Sequence, residues 1–296
     1  MGDNLSKPIT EKHTTTFETP YVRVGCCGMQ GWRRKMEDAH LSRINFLDRK
    51  DAALLGVYDG HNGQAIAKYC SIHMAEALMK TDAASKGDYE AAFKAAYMDL
   101  DETLMKSELR NEGGCTAVTC LMIDGKIYCA NAGDSRAVLC RNGSPAIALS
   151  VDHKPSLPEE AARVEKAGGT ISSNRVNGML SLTRAIGDFD LKMNESIPLA
   201  DQAISAFPDV KIIDQSADDQ FLVLACDGIW DVLDNDEACE LIKKSLEETK
   251  NDVGLVCERV LDKCLAPAAP GPGCDNMTIV IIQPKEEWRK RLRAQK

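Results

Sequence analysis

Residues 221–232 read FLVLACDGIWDV, an apolar run that is followed by two aspartates. Its branched and aromatic residues favour a β-strand buried on both faces, although periodicity alone leaves a buried helical turn open. The run delivers Asp227, then Gly228 for a turn, and a second carboxylate at Asp231. A carboxylate at the end of a buried strand is costly unless a cation neutralises it, and the run holds no Lys or Arg. A cation from outside the chain is one answer.

The same arrangement recurs at two other places in the chain. Residues 53–61, ALLGVYDGH, form an apolar run that ends in Asp59, a glycine and His61. Residues 273–282, GCDNMTIVII, place Asp275 at the start of a third run. A single Asp-Gly pair is usually only a turn, but three carboxylates at strand ends can meet at one sheet edge. Their oxygen atoms would suit hard divalent cations.

Composition and charge exclude several classes of protein. The 296 residues, 44% apolar and 27% charged, resemble an ordinary soluble globular chain of one or two domains. The net charge of −9 argues against nucleic acid as a partner, because phosphate backbones need a basic face. We find no secretory signal and no apolar stretch that spans a bilayer. The twelve cysteines are scattered without a Cys-x-x-Cys motif, which predicts a reducing compartment, the cytoplasm, with the nucleus left open.

Both ends of the chain are polar. Residues 1–20 are predicted to be a flexible arm. The arm begins MGDNLSK, which fits the N-myristoylation pattern at Gly2, with a chance match to this short motif as the alternative. One acyl chain at Gly2 would give only marginal, peripheral membrane association. Residues 284–296 are a basic tail, predicted to be a solvated helical extension.

The middle of the chain predicts antiparallel pairing. Strands are predicted over 116–123, 126–132 and 135–141, and Asp124-Gly125 forms the first hairpin turn. Successive short hairpins exclude a doubly wound parallel sheet. Helical spacing of apolar residues predicts further helices, which cover 63–79, 88–109, a short segment from 157 and two segments after 234. Residues 170–207 are irregular and are predicted to be a loop-rich insert over the site.

Seven short motifs follow one another along the chain. They are Arg33-x-x-Met36-Glu37-Asp38, Val57-Tyr58-Asp59-Gly60-His61-x-Gly63, Gly133-Asp134-Ser135-Arg136, Asp152-His153-Lys154-Pro155, Thr183-Arg184-x-x-Gly187-Asp188, Ala225-Cys226-Asp227-Gly228-x-Trp230-Asp231 and Asp275-Asn276-x-Thr278. Over about residues 21–283 they resemble the type 2C, metal-dependent protein serine/threonine phosphatase family. The chain departs from the family pattern at Cys115 and before Asp275, and neither departure removes a ligand.

This resemblance implies an α+β fold, a four-layer α-β-β-α sandwich of two antiparallel sheets flanked by helix pairs. Residues 21–283 would be the catalytic domain, and about 170–207 would be its flap. The implied activity is hydrolysis of phosphoserine and phosphothreonine in proteins by a water that two Mg²⁺ or Mn²⁺ ions activate. We expect phosphoprotein substrates, a monomer, and a weaker third ion in addition to the pair.

The resemblance also implies roles for individual metal ligands. Asp59 would bridge the two ions. Glu37 and the carbonyl of Gly60 would bind one ion, while Asp227 and Asp275 would bind the other. Asp38 would hold waters that are coordinated to these ions. Asp134 and Asp231, together with Asp227, would bind the weaker third ion.

Three further residues would handle the substrate. Arg33 would bind its phosphate, since a planar guanidinium donates two parallel hydrogen bonds. His61 would be the general acid, because an imidazole can protonate a departing oxygen near neutral pH. A lone histidine is more often structural, but the position directly after Asp59 favours the acid. Arg184 would lie in the flap that shapes substrate choice.

Two other interpretations stay open on the sequence. Cys27 and Arg33 match the Cys-x5-Arg spacing of cysteine-dependent phosphatases, although Cys26 and Arg34 stand where that motif needs other residues. A scaffold that binds phosphoproteins without hydrolysing them is the other alternative. Activity that survives a chelator but is lost with a thiol alkylator would favour the cysteine-dependent phosphatase. No hydrolysis at all would favour the scaffold.

Overall fold

The structure is a computed structural model that describes residues 4–294, so Gly2, the candidate acylation site, lies outside the described residues. Two antiparallel sheets stack face to face, and helices cover the outer face of each sheet. The predicted four-layer α-β-β-α sandwich is therefore confirmed. Within residues 4–294, none of the helices combines the length and the apolar character that crossing a membrane requires.

The first sheet has six strands and contains both the second and the last long strand of the chain. In spatial order its strands are β1 (Ile9–Glu18), β2 (Val22–Gly31), β16 (Met277–Pro284), β15 (Asp219–Ala225), β9 (Arg136–Arg141) and β10 (Ile147–Ala148). All neighbours are antiparallel, as the short hairpins predict.

The second sheet has five strands, in the spatial order β14 (Asp209–Asp214), β8 (Lys126–Ala132), β7 (Ala117–Ile123), β4 (Ala53–Tyr58) and β3 (Ala39–Ile44). The turn between β7 and β8 is the predicted one, because Asp124 and Gly125 both have the positive φ of a tight hairpin, 50° and 72°. Two smaller sets complete the strands, a three-stranded sheet of β13 (Ile186–Gly187), β6 (Gly114–Cys115) and β5 (Gly60–His61), and a ribbon of β11 (Ile171–Ser172) and β12 (Arg175–Val176).

The helices lie in two groups outside the sheets, with single helices elsewhere. In chain order they are α1 (Ala65–Lys80), α2 (Asp82–Ser85), α3 (Tyr89–Met105), α4 (Pro158–Lys166), α5 (Asp227–Trp230), α6 (Asn235–Glu248), α7 (Val253–Cys264) and α8 (Glu286–Ala294). The predicted helices are confirmed to within a few residues. Helix α6 begins with a capping box, in which the side chains of Asp234 and Glu237 each accept a hydrogen bond from the backbone N–H of the other.

Three apolar layers hold the sandwich together. Inner faces of both sheets meet in a core that includes Val24, Leu55 and Leu224, all buried. Helices α1 and α3 cover the five-stranded sheet with large side chains such as Phe93, while α6 and α7 cover the six-stranded sheet. Burying apolar surface in this way is the main favourable term in folding. It fixes the sheets rigidly behind the edge on which the carboxylates lie.

Both chain ends are more ordered than the sequence predicts. Residues 9–18, predicted to belong to a flexible arm, form the edge strand β1, which pairs with β2 through the backbone. The prediction missed this strand because its side chains are almost all exposed, so no apolar alternation marks it. The basic tail forms the predicted helix, but Trp288 and Leu292 are buried in the core between the sheets. Its indole donates a 2.8 Å hydrogen bond to Gln215.

Candidate active site

Five strand ends meet at one edge of the sandwich. Strands β4 and β15 end there, and their antiparallel neighbours β3, β9 and β16 begin there. This topology brings Asp59, Asp227 and Asp275 to one place, as the three apolar runs predict. Asp38, just before β3, and Asp134, in the turn between β8 and β9, arrive at the same edge.

The charges of these carboxylates act on one another. Burial raises the pKa of Asp59 well above its ordinary value, and the charges of Asp38 and Asp227 raise it further. Burial likewise raises the pKa of Asp227, with added repulsion from Asp134 and Asp275. Like charges at such short range are tolerated only when the group is protonated or a cation lies among them.

Several of the buried oxygen atoms have no protein donor. Both carboxylate oxygens of Asp38 and Oδ1 of Asp227 are buried and lack a hydrogen-bond partner among the described residues. Burial raises the pKa of Asp38 to about 7. Ligand atoms of Asp38, Asp59 and Cys226 lie within 4.8 Å of one another. Unpartnered buried oxygens in a mainly carboxylate pocket fit a hard divalent cation, which would supply the missing partner.

Two basic side chains reach into the same pocket. Arg33 forms an ion pair with Asp275, and Lys154 forms one with Asp134. Asp134 is only 3% exposed, so its lysine is the main local compensation for its charge. The sequence identified the motif that contains Lys154 but assigned the lysine no role. Asp231 caps the end of α5 and is exposed, on the solvent side of the pocket.

Close backbone packing fixes the loop that carries Glu37. The side chain of Asn276 donates to the carbonyls of Gln30 and Lys35 at 2.8 and 2.9 Å and accepts from the Glu37 N–H at 2.9 Å. Asn276 therefore ties this loop to the start of β16, a role that the sequence did not reveal. A Cβ atom at Gly60 would lie 2.3 Å from the Glu37 carbonyl oxygen, so only glycine fits there.

His61 faces a carboxylate that the sequence did not assign. Its Nε2 lies 2.7 Å from Oδ2 of Asp188. Strand β6 pairs with β5 on one side and β13 on the other, so Gly114 lies opposite both His61 and Gly187. A Cβ atom at Gly114 would approach Asp188 Oδ2 to 2.2 Å. Burial lowers the pKa of His61, but Asp188 outweighs burial and leaves that pKa above its ordinary value, with a smaller contribution from Glu37.

Arg184 lies in the flap, and its contacts point into the protein. Its guanidinium donates to Glu160 at 2.6 and 3.0 Å and to Asp209 at 2.8 Å. The side chain is 12% exposed. Glu160 also accepts from Arg163 at 2.7 Å and from the Thr183 hydroxyl at 2.5 Å. Arg184 thus anchors the flap to α4 and β14, and these contacts occupy the donors it would otherwise offer to a substrate.

The ion pairs of Glu160 with Arg163 and Arg184 make the stability of the protein at low pH depend on one carboxylate. Burial raises the Glu160 pKa, but Arg184 and Arg163 outweigh burial and lower it from 4.5 to about 2. Because the folded-state pKa is lower than the unfolded one, the stabilisation is complete above pH 4.5 and is lost as the pH falls towards 2. We expect Glu160→Gln to cost about 3 kcal/mol at pH 6 and almost nothing near pH 2, measured by urea unfolding across this range.

The neighbouring Glu159→Gln is the matched control for this series, since Glu159 is exposed on the same helix. We expect Glu159→Gln to change the unfolding free energy by less than about 0.5 kcal/mol at every pH. A constant cost of Glu160→Gln across the pH range would show that the cluster works through packing and not through charge.

The structure argues against the cysteine-dependent alternative. Cys27 lies within β2, fully buried in the core beneath α6 and α7, and its thiol accepts a 3.3 Å hydrogen bond from Thr14. Burial raises the pKa of this thiol, whereas a nucleophilic cysteine needs a lowered one. Cys27 is part of β2 and Arg33 of the loop after it, and within the described residues the next element is strand β3 and not the helix that this motif needs.

Comparisons with known proteins agree with this architecture. The family profile described as "Protein phosphatase 2C" matches residues 22–271. "Protein phosphatase 2C homolog 2" of Schizosaccharomyces pombe is 43% identical over 291 residues, which cover 95% of this chain and 78% of that protein. A probable protein phosphatase 2C of Caenorhabditis elegans is 42% identical over 286 residues, which cover 95% of this chain and 80% of that protein.

A solved structure shares the fold as well. A phosphatase from Toxoplasma gondii superposes with a TM-score of 0.79 at 27% identity, over 93% of this chain and 97% of that chain. The family profile covers most of the sequence, and the relatives align along nearly all of it. The chain therefore belongs to the protein phosphatase 2C family.

Proposed function

We propose that this protein hydrolyses phosphoserine and phosphothreonine in proteins and that it needs two Mg²⁺ or Mn²⁺ ions to do so. The observation that carries the proposal is the group of carboxylates at one sheet edge, with buried oxygens of Asp38 and Asp227 that lack a hydrogen-bond partner among the described residues. Family membership supports a protein phosphatase. The donor set supports the metal requirement, because these ions prefer carboxylate and carbonyl oxygens.

The positions of the acids support the ligand roles that the family resemblance implies. Asp59 would bind both ions, because its charge interacts with those of Asp38, Asp227 and Asp275 at once. Glu37 and the Gly60 carbonyl would complete one ion's shell, and Asp227 with Asp275 the other's. When bound, such ions supply an activated water and stabilise negative charge on the phosphoryl oxygens. Buried Asp134 and exposed Asp231, together with Asp227, would bind a weaker third ion.

Arg33 is suited to exchange one anion for another. Its guanidinium binds Asp275 in this structure, and 43% of the side chain is exposed to the cleft. A cation held by Asp275 would weaken that ion pair and free the guanidinium for the substrate phosphate. Arg33 would then orient the phosphoryl group through parallel N–H donors.

His61 is placed to donate a proton to the departing Ser or Thr oxygen. Hydrogen bonding of Nε2 to Asp188 favours the protonated imidazole, which is the form a general acid needs. Open clefts of about 360 and 490 Å³ flank the site, the first beside Arg33 and residues 270–275, the second beside Asp188 and Arg110. A phosphopeptide would have room on both sides of its phosphate.

Metal dependence distinguishes this proposal from both alternatives. We expect the purified protein to hydrolyse p-nitrophenyl phosphate and a phosphothreonine peptide with Mn²⁺, to lose activity in EDTA, and to regain it when Mn²⁺ is restored. Iodoacetamide should have little effect, because all twelve cysteines are buried. Activity that survives the chelator but not the alkylator would contradict the proposal, and no hydrolysis under any condition would favour a scaffold.

We also propose a cellular setting. The twelve cysteines are unpaired, which supports a reducing compartment such as the cytoplasm, with the nucleus still open. Acylation of Gly2 would add peripheral membrane association. Residues 21–283 would form the catalytic domain with β1 and α8 packed onto it. A monomer would suffice, since every proposed ligand comes from this one chain.

A further inference from the structure

A buried ion pair lies behind the contact between His61 and Asp188. Asp101 in the last third of α3 and Lys192 within residues 170–207 are both 0% exposed in their side chains. Lys192 Nζ donates to both carboxylate oxygens of Asp101 at 2.8 Å and to the carbonyl of Ala185 at 2.9 Å. Asp101 Oδ1 also accepts the Gly187 N–H at 2.8 Å. The pair therefore holds both ends of a short segment that carries Asp188.

The backbone of this segment is unusually constrained. Asp188 has a φ of 52°, in the left-handed region, and its N–H donates to the carbonyl of Gly113 at 3.0 Å. Gly187 has a φ of 91° and packs so closely on strand β6 that a Cβ would lie 2.6 Å from the Gly113 carbonyl. A non-glycine residue keeps a left-handed conformation only where its surroundings determine it. Here the surroundings are β6 on one side and Asp101 with Lys192 on the other.

Stability alone does not explain a buried ion pair at this position. Moving two charges out of water costs about as much as their attraction returns, and well-packed apolar residues often serve as well or better. What the pair adds is direction, since its hydrogen bonds fix two backbone groups just before Asp188, at Ala185 and Gly187, while Lys192 itself lies four residues after it. These restraints on both sides of Asp188 set where its carboxylate points.

We propose that Asp101, Lys192 and Asp188 are positioning residues for catalysis, in which the buried pair fixes the segment 185–192 and Asp188 in turn holds the His61 imidazole against the leaving group. The inference rests on the proposed function, since it needs His61 to be the general acid. The side chains of Asp101 and Lys192 are fully buried and out of reach of a substrate, and Asp188 would act through its contact with His61. Replacing them should therefore slow the hydrolysis of substrates whose leaving group needs the proton from His61, and should hardly slow the hydrolysis of substrates whose leaving group does not.

The choice of substrate separates a positioning role from a structural one. A seryl or threonyl oxygen leaves poorly unless it is protonated, whereas nitrophenolate leaves without a proton. General acids typically contribute about 10²–10⁴-fold to rate. Loss of His61 orientation should thus lower kcat for a phosphothreonine peptide far more than for p-nitrophenyl phosphate. General damage to the fold or to metal binding would lower both rates alike.

The main variant is the double replacement Asp101→Leu with Lys192→Met, which fills the same buried space with apolar side chains and leaves no unpaired charge. We expect kcat for the peptide to fall by about 10²-fold, with KM within a few-fold, and kcat for p-nitrophenyl phosphate to fall by less than about threefold. Amide hydrogen exchange at residues 185–192 should become faster. The matched control is Asp219→Leu with Arg141→Met, a half-buried ion pair at the opposite end of β9 and β15. It should change neither the ratio of the two hydrolysis rates nor the amide exchange at residues 185–192.

A second variant, Asp188→Asn, tests the same contact without touching the buried pair, should the double variant fail to fold. It should show the same substrate-dependent loss, and neither variant should lower peptide hydrolysis further when His61 is already Gln. Equal losses on both substrates, or no loss in a folded variant, would overturn the inference. A wild-type protein that hydrolyses neither substrate would instead overturn the proposed function, so the two failures are distinguishable.

Discussion

Asp59→Asn is expected to abolish turnover and, at the same time, to make the metal-free protein more stable. Asp59 lies at the centre of the carboxylate group, so its replacement removes the side chain that we propose binds both ions. Losing charge stabilisation of this kind costs about 10³-fold or more in kcat. The measurement that checks this is the rate of phosphothreonine peptide hydrolysis at saturating Mn²⁺.

The gain in stability has the same cause as the loss of activity. Without ions, burial and neighbouring charges oppose ionisation of Asp59, as its raised pKa records. A neutral amide of the same shape removes that repulsion. We expect the unfolding free energy in EDTA at pH 7 to rise by about 1–3 kcal/mol, measured by urea denaturation.

The control for both measurements is Asp262→Asn, which removes a carboxylate from an exposed ion pair with Lys12. Surface pairs of this kind are worth little, so stability and activity should hardly change. Turnover within a few-fold of wild type in Asp59→Asn would show that Asp59 does not bridge the ions. A lower stability in EDTA would show that the carboxylate has protein partners that we have missed.

His61→Gln is expected to lower kcat for a phosphothreonine peptide by about 10²–10⁴-fold while p-nitrophenyl phosphate hydrolysis falls much less. Glutamine can still hydrogen-bond Asp188, so the local structure should survive, but it cannot give up a proton near neutral pH. His73→Gln is the matched control, because His73 lies on α1 and its ring contacts Tyr69. This variant should leave both rates unchanged. Equal losses on the two substrates would assign His61 a structural role.

The fold was predictable where apolar runs and turn residues mark the elements. Strands β4, β15 and β16 are continuous buried runs, and Asp124-Gly125 marks the hairpin between β7 and β8. Strand β1 was not predictable, because an edge strand held by backbone hydrogen bonds needs no apolar pattern. Helix α8 was predicted as solvated because only Trp288 and Leu292 of its residues are buried.

The carboxylates of the site were predictable for a related reason. Asp59, Asp227 and Asp275 each adjoin a buried strand, and charges in that position need a partner. Their supports were not predictable, because the motifs that contain Asp188 and Lys154 gave these residues no role. Asp101 and Lys192 look like ordinary surface charges in the sequence. Asp101 and Lys192 are 91 positions apart, and only the packing of the flap segment against α3 brings them together.

The central claim is that divalent cations bind among acids from distant parts of the chain. Crystals grown with Mn²⁺ and measured for anomalous scattering at the manganese edge test this most directly. We predict two strong peaks, both within ligand distance of Asp59, one nearer Glu37 and the other nearer Asp227 and Asp275. Absence of manganese from this group at saturating Mn²⁺, or a single ion that Asp59 does not contact, would contradict the account.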